Sequence, residues 1–294
     1  MAIPFDRDFD APFGEAIRVT PLITRVLAPN PGPFTFRGTG VYIVGAGEDA
    51  AVIDPGPDVP EHVEALKRAL DGRRVSHILV THTHSDHSPA AAPLKAWSGA
   101  KTYAYGPHGS GKAEEGVKVE EGGDRDFVPD MRVKDGDAID GDGFTFDCVY
   151  TPGHTSNHMC FALRQEAALF TGDHVMGWST TVVVPPDGDM ADYMASLKKL
   201  IARNDDILWP THGGPVKNPK PFLQAYLDHR LDRERQILAC IAGGLQTIPE
   251  MVARIYADVD KRLHPAAARS VEAHLIQLVN EGRVAKAGNR YSMA

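Results

Sequence analysis

Three histidines and an aspartate stand within six residues of one another in the stretch ILVTHTHSDHSPAAAPL, residues 78–94. Imidazole nitrogens and carboxylate oxygens are common ligands of zinc and similar cations. In a tight turn, side chains two residues apart can converge, whereas adjacent side chains diverge. The spacing therefore predicts that His82 and His84 hold one cation, and that Asp86 and His87 hold a second one beside it.

Two cations need more ligands than this motif supplies, and three later positions offer them. His154 lies in TPGH, Asp173 in TGD and His212 in PTHGG. Each is a polar residue that follows an apolar run and lies beside a glycine, which lets backbone and ligand approach closely. The sequence thus predicts a site for two metal ions, built from loops that follow strands.

The motif itself lies where a predicted strand meets a predicted helix. Residues 77–80 (HILV) form an uninterrupted apolar run, which is typical of a buried strand. After the motif, Ser88 is expected to cap a helix that begins at Pro89 and ends near Gly99. The carboxyl end of a strand is where α/β folds commonly carry their chemistry.

Strands and helices alternate through the first 220 residues. A β-rich run at residues 50–56 precedes a helical pattern at residues 60–70, and residues 143–150 alternate large apolar side chains. A helical pattern at residues 192–201 precedes the strand that leads to His212. Two strand-rich halves with their own helices predict helices on both outer faces of a β-sandwich.

The last part of the chain has a different pattern. Apolar residues form a helical stripe over residues 222–241, a Thr-x-x-Glu capping box follows, and residues 265–282 begin with proline and end with glycine. The Gly-Asn pair at 288–289 suits the turn of a short hairpin. Three helices and a hairpin are the order of a winged helix. We therefore expect a catalytic domain at residues 1–220 and a winged-helix-like domain at residues 221–294.

Together, T-H-x-H-x-D-H, TPGHT, TGD and a late THG resemble the metallo-β-lactamase superfamily over residues 20–215. Residues 30–45 (NPGPFTFRGTGVYIVG) are similar to the opening of its hydrolases. The resemblance implies an α/β fold of four layers, αββα, and two zinc ions, with iron or manganese as alternatives. It also implies the ligand sets: His82, His84 and His154 hold one ion, Asp86, His87 and His212 hold the other, and Asp173 bridges them.

This resemblance implies hydrolysis by a hydroxide that bridges the two metal ions and attacks an electrophilic carbon or phosphorus centre. Asp86 is expected to orient that hydroxide as well as to bind metal. The main class of zinc β-lactamases has a cysteine at the position of Asp173, so hydrolysis of antibiotics is not expected.

The catalytic domain and the tail together resemble the β-lactamase-like protein 2 group, which implies an endoribonuclease that cleaves single-stranded RNA. Four basic residues of the tail are then expected to contact phosphates, with a solvated basic face as an equal alternative: Arg269, Arg283, Lys286 and Arg290. The alternative function is a thioesterase or lactonase resembling hydroxyacylglutathione hydrolase (glyoxalase II). A third reading makes the tail an interaction or dimerisation module that never binds nucleic acid.

Three further residues are weaker candidates for contact with the substrate. His158 lies four positions beyond His154, Trp178 lies in the segment after Asp173, and Tyr193 belongs to a predicted helix. Each also has a structural interpretation: a supporting hydrogen bond, packing of a loop over the core, and a tyrosine on the buried face of a helix.

The composition limits the partners and the location that we expect. A formal charge of −8 argues against a surface coated with basic residues for nucleic acid. The chain contains no apolar run of about 18 residues, and its opening segment lacks the basic patch and apolar core of a secretion signal. We therefore expect a cytoplasmic protein without membrane contact, which acts on a small ester or thioester or on RNA, with a homodimer as one possible assembly.

Overall fold

In a computed structural model, which describes residues 3–110 and 122–294, the first sheet has seven strands in chain order. Neighbouring strands are antiparallel up to the fourth and parallel from there on. Parallel neighbours need crossovers, which helices α1 and α2 provide before and after the fifth strand. These elements are β1 (Ile17–Arg18), β2 (Ile23–Leu27), β3 (Gly40–Val44), β4 (Asp49–Ile53), α1 (Pro60–Leu70), β5 (Arg74–Leu79), α2 (Ala91–Ser98), β6 (Lys101–Ala104) and β7 (Met131–Arg132).

The second sheet has five strands, and its last strand along the chain lies at one edge. Neighbours are antiparallel except for the final pair, which helix α3 joins as a parallel crossover. The elements are β8 (Ala138–Gly141), β9 (Phe144–Tyr150), β10 (Met159–Leu163), β11 (Ala168–Gly172), α3 (Met190–Ile201) and β12 (Ile207–Pro210).

The two sheets pack face to face, and helices cover both outer faces. Ile53 and Leu79 of the first sheet share one buried cluster with Phe146, Phe161 and Phe170 of the second. A second cluster joins the first sheet to α1 and α2, and a third joins the second sheet to α3. Because the central strands are covered on both faces, all residues of β3, β10 and β11 are buried. The expected αββα sandwich is confirmed.

After β12 the chain forms three helices and a hairpin with a core of their own. Ile237, Met251, Leu275, Val284 and Tyr291 are buried in that core. The elements are α4 (Pro219–Ala242), α5 (Ile248–Ile255), α6 (His264–Asn280), β13 (Val284–Ala287) and β14 (Arg290–Met293). This is the predicted order of a winged helix, and the predicted capping box begins α5.

Helix α4 belongs to two cores. Phe222 and Tyr226, near its beginning, pack in the cluster beneath the second sheet. Ile237 and Ile241, near its end, pack in the core of the three-helix unit. One continuous helix therefore connects the sandwich to the C-terminal unit (residues 219–294).

Two helix starts differ from the expectation. Helix α2 begins at Ala91 rather than at Pro89, because the Ser88 hydroxyl donates a hydrogen bond to Asp124 Oδ2 at 2.6 Å instead of capping the helix. Helix α3 begins at Met190, where the side chain of Asp189 accepts a hydrogen bond from the backbone. Throughout residues 3–110 and 122–294, every helix is too short or too polar to cross a lipid bilayer.

Candidate metal centre

All seven predicted ligands lie at one edge of the sandwich, beyond the carboxyl ends of strands. The HTHSDH motif follows β5, His154 follows β9, Asp173 follows β11 and His212 follows β12. β9 and β11 are both antiparallel to β10, and β12 is parallel to β11, so these three strands end at the same edge. The fold therefore brings together residues that are far apart in the chain.

The first group consists of His82, His84 and His154. His84 Nδ1 lies 2.9 Å from His82 Nε2 and 3.1 Å from His154 Nε2. Nitrogens that converge in this way are a common arrangement of zinc ligands. The group matches the first ligand set that the resemblance implied.

The second group consists of Asp86, His87 and His212. Asp86 Oδ2 lies 3.1 Å from His212 Nε2 and 3.6 Å from His87 Nε2. Within each of the two groups, the possible ligand atoms all lie within 4.8 Å of one another. The second group matches the other implied set.

Asp173 lies between the two groups. Its Oδ1 is 3.3 Å from His212 Nε2 and 3.5 Å from His87 Nε2, while its Oδ2 is 3.9 Å from His154 Nε2. His82, His87 and Asp173 also have ligand atoms within 4.8 Å of one another, so the two groups form one continuous cluster. One oxygen of Asp173 thus faces each group, as a bridging carboxylate requires.

Three buried atoms of this cluster indicate that a cation fits it. Asp173 Oδ1 lies 3.3 Å from His212 Nε2 and 3.5 Å from His87 Nε2, yet within the part of the chain that the structure describes none of these three atoms has a partner in hydrogen-bond geometry. Buried polar atoms are nearly always hydrogen-bonded, and each exception needs an explanation. A metal ion bound by these three atoms would provide the missing partner.

Burial and charge act in opposite directions on the ionisable groups of the cluster. Burial lowers the pKa of His87, but the carboxylates of Asp86, Asp173 and Asp54 outweigh burial and raise it well above its usual range. Burial raises the pKa of Asp173, yet His212 and His87 hold it below its usual range. The cluster thus stabilises carboxylates, and a cation that binds there must displace any proton on the histidines.

Hydrogen bonds to the outer ring nitrogens fix how the histidines point. Such bonds leave the inner nitrogen of each ring directed into the cluster. The acceptors are Asp54 Oδ2 for His87 (2.9 Å), Thr81 Oγ1 for His82 (3.1 Å), the Val182 carbonyl for His154 (2.6 Å) and the Gly38 carbonyl for His212 (3.2 Å).

Asp54 is a residue of the site that the sequence analysis missed. Its side chain is fully buried and accepts hydrogen bonds from the Thr81 backbone (2.7 Å), the Thr81 hydroxyl (2.8 Å), the His87 ring (2.9 Å) and the Thr211 hydroxyl (3.0 Å). A signal was present, because Asp54 follows the apolar run AAVI and precedes Pro-Gly, much as Asp173 follows ALFTG.

The three weaker candidates for substrate contact lie at different depths. His158 is fully buried behind His82, with ring centroids 5.2 Å apart, and its Nδ1 is 2.9 Å from the Thr151 hydroxyl. Tyr193 is also fully buried, and its hydroxyl donates to the His174 carbonyl at 2.8 Å, so it has no proton to offer a substrate. Trp178 is partly exposed and stacks on Phe36 at 4.8 Å.

The basic residues of the tail make contacts within the protein. Arg283 pairs with Glu234 at 2.6 Å, Arg290 donates to Gln246 Oε1, Arg269 bonds to Glu272 and to the Pro185 carbonyl, and the Lys286 ammonium lies 5.8 Å from the centre of the Tyr291 ring. Each of the three arginines therefore has part of its guanidinium engaged within the protein.

Comparisons with known proteins agree with this architecture. Residues 35–212 match the family model of the metallo-beta-lactamase superfamily, and residues 247–291 match that of the beta-lactamase associated winged helix domain. The resemblance inferred from the motifs is therefore confirmed.

Two relatives and one solved structure illustrate the range of similar proteins. The chain is 31% identical over 273 residues to the beta-lactamase-like protein 2 homolog of Caenorhabditis elegans, covering 91% of this chain and 87% of that protein. It is 30% identical over 292 residues to an atrochrysone carboxyl ACP thioesterase of Cryptosporiopsis sp., covering 93% of this chain and 84% of that protein. A beta-lactamase domain protein from Burkholderia ambifaria superposes with a TM-score of 0.79 at 19% identity, covering 98% of this chain and 96% of that one, which shows the shared fold.

Proposed function

The chain belongs to the metallo-beta-lactamase superfamily of metal-binding hydrolases, and from this premise we propose that it works with two metal ions at once. One observation carries the proposal: two groups of three ligand side chains converge on the two oxygens of Asp173. A single bound cation would leave one of these groups without a partner.

The residues of the cluster would share the work of hydrolysis. Two divalent cations held there would lower the pKa of a shared water and draw electron density from the carbonyl or phosphoryl group of the substrate. Burial disfavours the charged form of Asp86, but His87 and His212 outweigh it and hold its pKa below the usual range. Asp86 therefore stays a carboxylate, which accepts a hydrogen bond from the attacking water and orients it.

We propose zinc in both positions. The ligands combine nitrogen and oxygen atoms without sulfur, which suits zinc and also iron or manganese, since such sites select metals by geometry and availability. Elemental analysis of protein purified without added metal tests this choice. Two iron or manganese ions per chain would refute zinc and leave the dinuclear site intact.

For the substrate, we propose an acyl thioester or another activated carbonyl compound such as a lactone. One relative that shares most of its length with this chain is named as a thioesterase.

Single-stranded RNA is the second candidate substrate. The winged-helix match and the relative named beta-lactamase-like protein 2 homolog favour it. The internal bonds of Arg269, Arg283 and Arg290 count against phosphate contacts by the tail, so RNA would have to bind mainly through the edge of the sandwich. The expected endoribonuclease activity stays a prediction.

A substrate panel decides between the two candidates. The panel contains an acyl-pantetheine thioester, S-lactoylglutathione, a homoserine lactone, bis(p-nitrophenyl) phosphate, a single-stranded RNA and a cephalosporin. We expect turnover of a thioester and none of RNA, and turnover of RNA alone would reverse the order.

Each activity is measured again in Asp173→Asn, with Asp228→Asn as the matched control. Asp228 is exposed on α4, and its carboxylate accepts a hydrogen bond from Gln224 of the same helix. Loss of a supporting residue already costs roughly 10- to 100-fold in such sites, so loss of the shared ligand should cost at least about 100-fold. Unchanged turnover in Asp173→Asn would exclude the proposed centre.

A further inference from the structure

We infer that the C-terminal unit positions the metal ligand His154, because Arg230 and Arg269 hold the loop that orients the His154 ring. This loop, the site loop, comprises residues 173–189 between β11 and α3. The inference rests on the proposed metal centre and assigns to α4 and α6 a role in metal binding.

The site loop supports His154 directly. The carbonyl of Val182 accepts a hydrogen bond from His154 Nδ1 at 2.6 Å, which directs Nε2 towards His84 and Asp173. Further along the loop, the buried Asp187 accepts a hydrogen bond from the Ser156 hydroxyl at 2.5 Å. The orientation of the ring therefore depends on where the backbone of the loop lies.

Arg230 of α4 holds the loop next to this contact. Arg230 is 3% exposed, and its guanidinium donates to the Thr181 carbonyl at 2.5 Å, one peptide before Val182. The Thr181 hydroxyl in turn donates to the Asp173 carbonyl at 2.8 Å. A short chain of bonds thus leads from α4 through two successive peptides to His154.

Two more residues of the C-terminal unit hold carbonyls of the same loop. Arg269 of α6 donates to the Pro185 carbonyl, and Tyr226 of α4 donates to the Ser179 carbonyl at 2.5 Å. Backbone carbonyls at Ser179, Thr181 and Pro185 are therefore held by residues of the C-terminal unit, while Val182 is bonded to His154.

The charge of Arg230 is not needed for packing. Among the ion pairs of the described residues none includes Arg230, its Nε has no hydrogen-bond partner, and its guanidinium lies 5.0 Å from the centre of the Tyr193 ring. A buried charge without a counter-ion is costly, and an apolar side chain at this position would avoid that cost. What an apolar side chain would not supply is the hydrogen bond to the site loop.

The test measures zinc binding to metal-free full-length protein by calorimetric titration. Arg230→Met keeps an unbranched apolar stem and removes the donor, and Arg235→Met, on the exposed face of the same helix, is the matched control. We expect one of the two zinc sites to weaken about 10- to 100-fold in Arg230→Met, as for other residues that orient a ligand, while the second site and the control change less than about twofold.

A second pair of variants covers the case in which Arg230→Met does not fold. Arg269→Met changes a side chain that is 44% exposed, and Arg262→Met, 88% exposed, is its control. We expect a smaller loss at the same zinc site for Arg269→Met and none for Arg262→Met. Circular dichroism and thermal unfolding verify that each variant is folded.

A double-mutant cycle assigns the effect to His154. If the arginines act through this ring, Arg230→Met or Arg269→Met should cause no further loss of zinc affinity in a His154→Ala chain. Three results would each overturn this inference and leave the proposed centre standing: equal weakening of both zinc sites, no weakening of either, or the same loss of zinc affinity in the His154→Ala chain. A wild-type chain that binds fewer than two zinc ions would overturn the proposed centre, and the inference with it.

Discussion

Replacement of Asp54 by asparagine tests how the scaffold supports the metal centre. Asparagine has nearly the same shape as aspartate, and it tolerates the left-handed backbone found at this position, where φ is 48°. Alanine would add backbone strain, so a loss of stability in Asp54→Ala would have two causes. Asp54→Asn isolates the loss of the charge and of one acceptor.

The size of the effect follows from the hydrogen bonds. Oδ2 of Asp54 accepts three of them and Oδ1 accepts one, from the Thr81 backbone. The amide oxygen of asparagine will take the position of Oδ2, and its NH2 group will then face the Thr81 N–H. Two buried donor groups, the Thr81 N–H and the NH2, are then without a partner, and each costs about 1–3 kcal/mol. The remaining three bonds become weaker, but burial of an amide costs less than burial of a carboxylate, so we expect about 2–4 kcal/mol in total.

Metal binding should enlarge this difference. Loss of a residue that orients a metal-ligating histidine typically costs about 10- to 100-fold in affinity, and here the histidine is His87. Each factor of ten in affinity lowers the stability of the metal-saturated protein by about 1.4 kcal/mol. We therefore expect Asp54→Asn to lose more stability in excess zinc than in EDTA.

The assay is urea unfolding of wild type, Asp54→Asn and the exposed control Asp58→Asn, each in EDTA and in excess zinc. The control should match wild type in both conditions. The reasoning fails if Asp54→Asn unfolds with wild-type free energy in EDTA, or if zinc does not increase its deficit.

Three further predictions concern stability. Gly153→Ala should lower the free energy of unfolding in urea by at least about 2 kcal/mol, since its Cβ would lie 2.3 Å from the backbone of Tyr193. In Gly143→Ala the Cβ meets nothing within 4 Å, so the loss should be only about 1 kcal/mol. Similar losses for the two variants would contradict this. The hydrogen bond from Lys95 lowers the pKa of Asp130 to about 2, so the carboxylate stabilises the fold above its unfolded pKa of 3.8 and loses this effect as pH falls towards 2. Asp130→Asn should therefore have a lower melting temperature than wild type at pH 6, and the difference should narrow below about pH 4. A difference that stays constant with pH would argue against this. EDTA should lower the melting temperature of the wild type and added zinc should restore it, because an ion that binds only the folded state stabilises that state. An unchanged melting temperature would speak against bound metal.

The sequence predicted the fold where local signals suffice. Helix α1 begins at Pro60 and ends at Leu70, as its proline and apolar stripe indicated. Helix α2 begins later than expected because Ser88 bonds to Asp124, which is 36 positions away in the chain. Local capping rules cannot take such a contact into account.

The same distinction applies to the site. The metal-ligand types of His82, His84, Asp86 and His87 stand close together in the chain, so their chemistry could be inferred from spacing alone. The role of Asp54 depends instead on hydroxyls and a ring from two other segments, which only the folded chain brings together. The contacts that support the cluster were therefore much harder to predict from the sequence than the residue types that form it.

For the tail, charge counting predicted the residue types but not their partners. Arg269 and Arg283 were expected to face solvent or phosphate; their side chains are 44% exposed, and both also bond to groups of the protein that lie 84 and 49 positions away. A guanidinium with internal partners has fewer of its N–H donors left for phosphate. This is one reason why the order of the two candidate substrates changes once the fold is known.

The shared helix α4 also bears on the division of the chain at residue 220, which stays a prediction. Truncation there would remove Phe222 and Tyr226, both buried beneath the second sheet, and would expose their apolar partners. It would also remove Arg230 and the support of the site loop. Loss of activity on truncation would therefore not show that the tail binds substrate. A chain with Arg283→Ala and Lys286→Ala keeps α4 intact and so separates nucleic-acid docking from support of the metal centre. Reduced RNA binding at low salt would favour docking by the tail. Unchanged RNA binding would leave the tail as a support for the metal centre.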